Sequence, residues 1–121
     1  MNITLETAEQ HAIQAYGEKQ IQINSVIYER SLIVSREEII TEVAINDIQN
    51  IDENYVTLLT QFNPEIIIIG HERPGTFPPF SIISKLSQLG IGMETMSVGA
   101  ACRTYNILLG EYRKVVAGFI F

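Results

Sequence analysis

Apolar and polar residues in this chain change rhythm partway along. From residue 20 to 42 the apolar positions come in short alternating groups: Ile21 and Ile23, Val26 and Tyr28, Leu32 and Val34, then Ile39 beside Ile40. A period of two marks a strand with one covered face, and Asn24-Ser25 and Glu29-Arg30 interrupt it with turn-forming residues. The segment reads as a meander of short antiparallel strands. Residues 1–15 show no clear period and are left unassigned.

Beyond residue 50 the spacing becomes helical. Tyr55, Leu58, Leu59 and Phe62 share one face, Asn50 with Glu53 three residues on predicts the cap, and Asn63-Pro64 predicts the stop. Residues 66–69 are four consecutive isoleucines, apolar on both sides as a strand at the centre of a covered sheet must be. After a loop at 70–77, Pro78-Pro79 opens a helix with apolar positions Ile82, Ile83, Leu86 and Leu89, and Gly90 closes it. A strand at 93–96, a helix at 98–111 and a last strand at 115–120 follow. Three strands separated by two helices predict an α/β layer rather than a bundle. With no repeat, linker or low-complexity tract, residues 1–121 read as a single domain.

Charge narrows the functional classes. Residues 1–60 hold ten acidic against three basic residues, a balance of −7, while residues 61–121 hold four against five, a balance of +1. A net charge of −6 without a basic stripe disfavours nucleic acid as a partner. One cysteine allows no internal disulfide, Glu6 and Glu9 interrupt any leader-like apolar start, and the longest apolar run is far short of a membrane span. A cytoplasmic chain is expected.

Cys102 is the obvious nucleophile to consider. It lies in a stripe of Val98, Ala101, Cys102, Tyr105, Leu108, Leu109 and Tyr112 at helical spacing, so it reads as a core residue with a raised pKa. Arg103 and Asn106 fall on the polar side of the same helix, with Gly110 continuing that face. An Arg there offers a fork to a carboxylate or phosphate, against the plainer reading of a surface contact.

The best place for a ligand is geometric. The loop starting at Gly70 and the turn at 96–99 each follow a strand and precede a helix. If those strands are parallel, the loops meet at the carboxyl ends where open α/β sheets bind ligands. The candidate ligand-binding residues are therefore Gly70, His71, Arg73, Thr76, Ser97, Gly99 and Arg103, with Ser97 also read as a helix cap. His71-Glu72-Arg73 resembles acid–base equipment, but neighbouring loop residues point apart. No GxGxxG, P-loop, GxSxG, HxxxH or CxxC occurs. No catalytic residue, metal site or cofactor is assigned.

The run Ala100-Ala101-Cys102-Arg103-Thr104-Tyr105-Asn106, with Gly90-Ile91-Gly92-Met93-Glu94 before it and the Ile-rich strand ending at Gly70, resembles a family of small domains of unknown function from bacteria and archaea. One eukaryotic member of that family is the mitochondrial NADH dehydrogenase (complex I) assembly factor three. Tyr16-Gly17, Ile21-Gln22-Ile23-Asn24 and Ser31-Leu32-Ile33-Val34 resemble its opening strands, so the likeness covers roughly residues 14–120. It implies a three-layer α/β domain: a central mixed β-sheet, flanking helices and a smaller β-layer from the N-terminal meander. It implies no catalytic residues. The family often has Gly-Thr-Gly where this chain has Gly70-His71-Glu72, and Asp-Thr where it has Ser97-Val98, which weakens an anion site. The expected function is a non-enzymatic interaction domain, assisting assembly of a respiratory or other membrane complex through an unidentified protein partner. The alternative is a small-molecule or anion-binding protein, or an enzyme, using the two loops. A monomer or weak homodimer is expected.

Overall fold

The computed structural model describes residues 11–121; the unassigned N-terminal stretch therefore lies mostly outside the described residues. Strands β1 (Ile13–Gly17), β2 (Gln20–Ile23) and β3 (Val26–Tyr28) form a small antiparallel sheet in the order β1-β2-β3. The β2–β3 turn is Asn24-Ser25, both with positive φ (52° and 68°). That is the backbone a two-residue hairpin loop requires, and Asn tolerates it best among side-chain-bearing residues.

Strands β4 (Leu32–Val34), β5 (Ile39–Ile40), β6 (Ile66–Gly70), β7 (Gly92–Met96) and β8 (Val115–Phe119) form the central sheet in the order β5-β4-β8-β6-β7. β6 runs parallel to both β7 and β8, and β4 runs antiparallel to β8, so the sheet is mixed. The single meander expected over residues 20–42 is thus divided between two sheets. The reason is visible in Leu32, Ile33 and Val34, which are consecutive and all buried. Such a run needs cover on both faces, whereas β2 buries only Ile21 and Ile23 and needs cover on one.

Helices α1 (Glu53–Thr60), α2 (Phe80–Gln88) and α3 (Val98–Gly110) complete the layers. The α1 cap is Asp52, whose carboxylate accepts the Tyr55 N–H at 3.0 Å; the expected Asn50 belongs instead to a 3-10 turn at Ile48–Asn50. α2 begins one residue after Pro79, and of its expected stripe only Ile82 and Leu86 are buried. The crossover through α2 carries the chain from β6 out to β7, and that through α3 returns it past β6 to β8. Crossovers of one hand that run in opposite directions must place their helices on opposite faces. They do: Ile82 and Leu86 pack with Ile67, Ile69 and the α1 residues Tyr55, Val56 and Leu59, while α3 packs over Ile68 together with Ile13, Ile21 and Ile23 of the small sheet. The layers are α1 and α2, the central sheet, and α3 with β1–β3.

α3 lies very close to the sheet. A Cβ at Gly70 would stand 2.8 Å from the Ala101 Cβ and 3.0 Å from the Phe119 ring, so only glycine lets helix and strand approach this far. The stripe expected on α3 is buried at Val98, Ala101, Cys102, Tyr105 and Leu109, but Tyr112 is not part of it. Tyr112 comes after the helix with φ 60° and lies 80% exposed, its ring 5.3 Å from the Arg36 guanidinium.

Candidate functional site

Because β6 and β7 are parallel neighbours whose following helices lie on opposite faces, their carboxyl ends form a topological switch point, the usual ligand position in an open α/β sheet. The ladder extends one step past the strands through the His71 N–H, which donates to the Met96 carbonyl at 3.0 Å. The chain then turns at Arg73-Pro74-Gly75-Thr76. The Thr76 N–H reaches the Arg73 carbonyl at 3.2 Å, with Pro second and Gly third at φ 82°, the residue order that a type II turn favours. The Thr76 hydroxyl donates to the same carbonyl at 2.7 Å.

A cleft of about 270 Å³ opens between these segments, lined by His71, Glu72, Thr76, Phe77, Thr95 and Ser97 among others. His71 is buried, and burial pushes its pKa below the usual value, outweighing the nearby Glu72 and Asp47 carboxylates. Its Nδ1 accepts the Arg73 backbone N–H at 3.2 Å, which assigns the proton to Nε2 in the neutral ring. Glu72 reaches across to α3, where one carboxylate oxygen accepts the Val98 N–H at 3.3 Å, and the Ser97 hydroxyl accepts the Ala100 N–H at 3.2 Å. The N-terminus of α3 thus already faces a carboxylate of the chain itself, which complements the helix dipole.

The seven candidate residues do not form one site. His71, Thr76 and Ser97 line the cleft. Arg73 turns away and pairs with Asp47, beside a neighbouring cleft of about 280 Å³ that shares His71 as a wall. Gly70 lies beneath α3. Gly99 and Arg103 face β1: a Cβ on Gly99 would stand 2.8 Å from the Tyr16 ring, and the Arg103 guanidinium meets the Tyr16 hydroxyl at 2.5 Å. Asn106, on the same flank, donates to the Ile13 carbonyl and accepts the Ile13 N–H, each at 2.8 Å, where β1 bulges. This polar flank of α3 therefore holds a strand rather than solvent. Sequence reasoning passed over Phe77 and Thr95; the only signal for them was their position next to the two loops.

Cys102 is sealed under α3, and burial pushes its thiol up to about 12. A group with that pKa supplies almost no thiolate at neutral pH. Among the described residues no cluster of three or more His, Cys, Asp or Glu side chains is arranged to hold a metal. A larger hollow, about 530 Å³, lies elsewhere, between the end of β3 and the irregular segment 41–44, and is lined by Ile27, Tyr28 and Val43 among others.

A mixed sheet with helices on both faces and a three-stranded cover defines a small three-layer α/β domain. Residues 13–120 match the family described as "Protein of unknown function (DUF498/DUF598)", and the chain belongs to that family. The resemblance drawn from its motifs, to the family that includes the complex I assembly factor, stands with this match. The chain is 33% identical over 116 residues to the 13 kDa major membrane protein of Francisella tularensis subsp. holarctica (strain LVS), covering 90% of this chain and 94% of that protein. A Xanthomonas campestris protein solved by NMR shares the fold at a TM-score of 0.82 with 27% identity, over 90% of this chain and 83% of its own. A structure described as an outer membrane protein from Bartonella henselae matches at 0.79 with 27% identity, over 92% and 94%. A Mth938-like domain from Bordetella pertussis matches at 0.80 with 22% identity, over 99% and 92%, a likeness of fold alone. No helix among the described residues is long and apolar enough to cross a membrane.

Proposed function

We propose that this chain is a non-enzymatic interaction domain that helps assemble a membrane-associated protein complex, docking on a protein partner through the outer face of α2. The observation that carries this reading is the apolar surface at the start of that helix. Phe77 is 65% and Phe80 80% exposed, and Ile83, one turn on, is also exposed. Two aromatic side chains and an isoleucine left outside a core that has room for Ile82 and Leu86 are the kind of cluster that marks a protein interface. The assembly-factor member of the family, and the membrane proteins named among the relatives, support the choice of partner class. The chain works in the cytoplasm as a monomer or weak dimer, since the exposed Glu94 in the middle of edge strand β7 opposes edge-to-edge pairing with a second copy.

Crosslinked pull-down from native cells tests this reading. The expected result is recovery of a subunit of a membrane complex that is lost from Phe80→Ser and Ile83→Ser variants of unchanged melting temperature. Recovery that ignores both substitutions would move the docking surface elsewhere. Repeated failure to recover any partner would remove the reading.

A further inference from the structure

The switch-point cleft adjoins the α2 docking surface and shares Phe77 with it, and its own chemistry points to a ligand class. We propose that the cleft between β6 and β7 binds a small uncharged polyol or monosaccharide. Three observations combine. First, the His71 side chain is more than nine-tenths buried, yet its Nε2–H has no protein partner among the described residues. The sealed side-chain polar atom lacking a partner is the Tyr55 hydroxyl, not this nitrogen, so Nε2 is reached through the clefts that His71 lines. A donor on a mostly buried ring that opens into a cleft is available to an acceptor there, water or a ligand hydroxyl.

Second, the other polar groups offer both donors and acceptors. Among the described residues the Thr95 hydroxyl has no partner, the Ser97 hydroxyl is used only as an acceptor, and the second carboxylate oxygen of Glu72 makes no hydrogen bond. Hydroxyl groups, which donate and accept, match such a mixed set. Third, charge excludes the ionic alternatives. The Glu72 carboxylate opposes an anion and Arg73 is already paired with Asp47, while the positive end of α3 opposes a cation. A burial-shifted, neutral His71 adds no charge to either side. The exposed Phe77 ring at the mouth offers an apolar platform for the C–H face of a sugar. About 270 Å³ lies just below the range of drug-sized pockets, enough for one monosaccharide and small for a nucleotide.

Amide NMR titration of the full chain with D-glucose and with sorbitol tests the proposal, with inorganic phosphate and putrescine as charged probes. The expected result is saturable shifts of the amides at 71–77 and 95–97 with at least one uncharged probe. Thr95→Val should weaken binding about fivefold, the scale of one neutral hydrogen bond, and Phe77→Ala should weaken it by a similar factor through loss of the apolar platform. Melting curves confirm that both variants fold. Ile83→Ser should bind the polyol normally, which separates this site from the docking surface. No saturable shift with either polyol, or tighter binding of phosphate or putrescine at the same amides, would overturn it.

Discussion

Helices α3 and α2 flank the same sheet on opposite faces and use their residues in opposite ways. α3 spends nearly every side chain on the fold. Its stripe is sealed, Ser97 and Glu72 close its N-terminus, and Asn106 and Arg103 hold β1. α2 buries two residues, starts without a side-chain cap and leaves Phe80, Ile83 and Leu89 outside. The difference teaches that the familiar motif around Cys102 and Asn106 is architecture, and that the less distinctive helix carries the surface free to meet a partner.

Truncating one aromatic on each helix should break this comparison if it is wrong. Tyr105 is fully sealed and its hydroxyl donates to the His11 carbonyl at 3.2 Å, so Tyr105→Ala should cost about 3–5 kcal/mol. Phe80→Ala should change stability by no more than about 0.5 kcal/mol, as exposed positions do. Urea titration of the two variants checks both. Similar losses would show that the Phe80 ring packs on something in the folded chain.

Asn106→Ala comes next. It removes two hydrogen bonds and leaves both Ile13 backbone groups without their partner, at a cost of about 2 kcal/mol. Hydrogen exchange should rise in β1 and β2 before it rises in β6. Uniform acceleration across both sheets would mean that the small sheet does not open separately.

These residues also show what the sequence could reveal. Periodicity and turn chemistry located β6, β8, the helices and the Asn24-Ser25 hairpin, because each depends on neighbours along the chain. The division of the meander, the Asp52 cap, the exposure of Tyr112 and the role of Asn106 were not legible. Each depends on a partner far away in sequence or on a choice between nearly equivalent residues. The same limit applies to the cleft. His71 and Ser97 were found by their place after parallel strands, but the turn of Arg73 toward Asp47 and of Gly99 toward Tyr16 is tertiary.

Cys102 sharpens the architectural reading of α3 with a smaller effect. Cys102→Ala should cost about 1 kcal/mol and leave partner capture and polyol binding unchanged. Thiol reagents should label the native protein slowly at neutral pH and the unfolded chain quickly, since burial suppresses the thiolate. Fast native labelling would return Cys102 to the list of reactive groups.

The smallest effect concerns His71 and its dependence on pH. Burial lowers its folded pKa below the ordinary 6.5, so near and below that value the unfolded chain binds the proton more readily than the folded one. Stability therefore rises with pH through this window. The contribution is fully present above pH 6.5 and is lost as pH falls through the lower folded value. The nearby Glu72 and Asp47 carboxylates oppose the shift and keep the effect modest. Melting temperatures measured from about pH 7.5 down to about pH 5 should fall more steeply for the native chain than for His71→Gln, which lacks the titrating ring but keeps a side-chain acceptor for the Arg73 N–H. Parallel profiles would mean that the ring titrates as it does in the unfolded chain, and the shielded, neutral imidazole on which the polyol site depends would go with it.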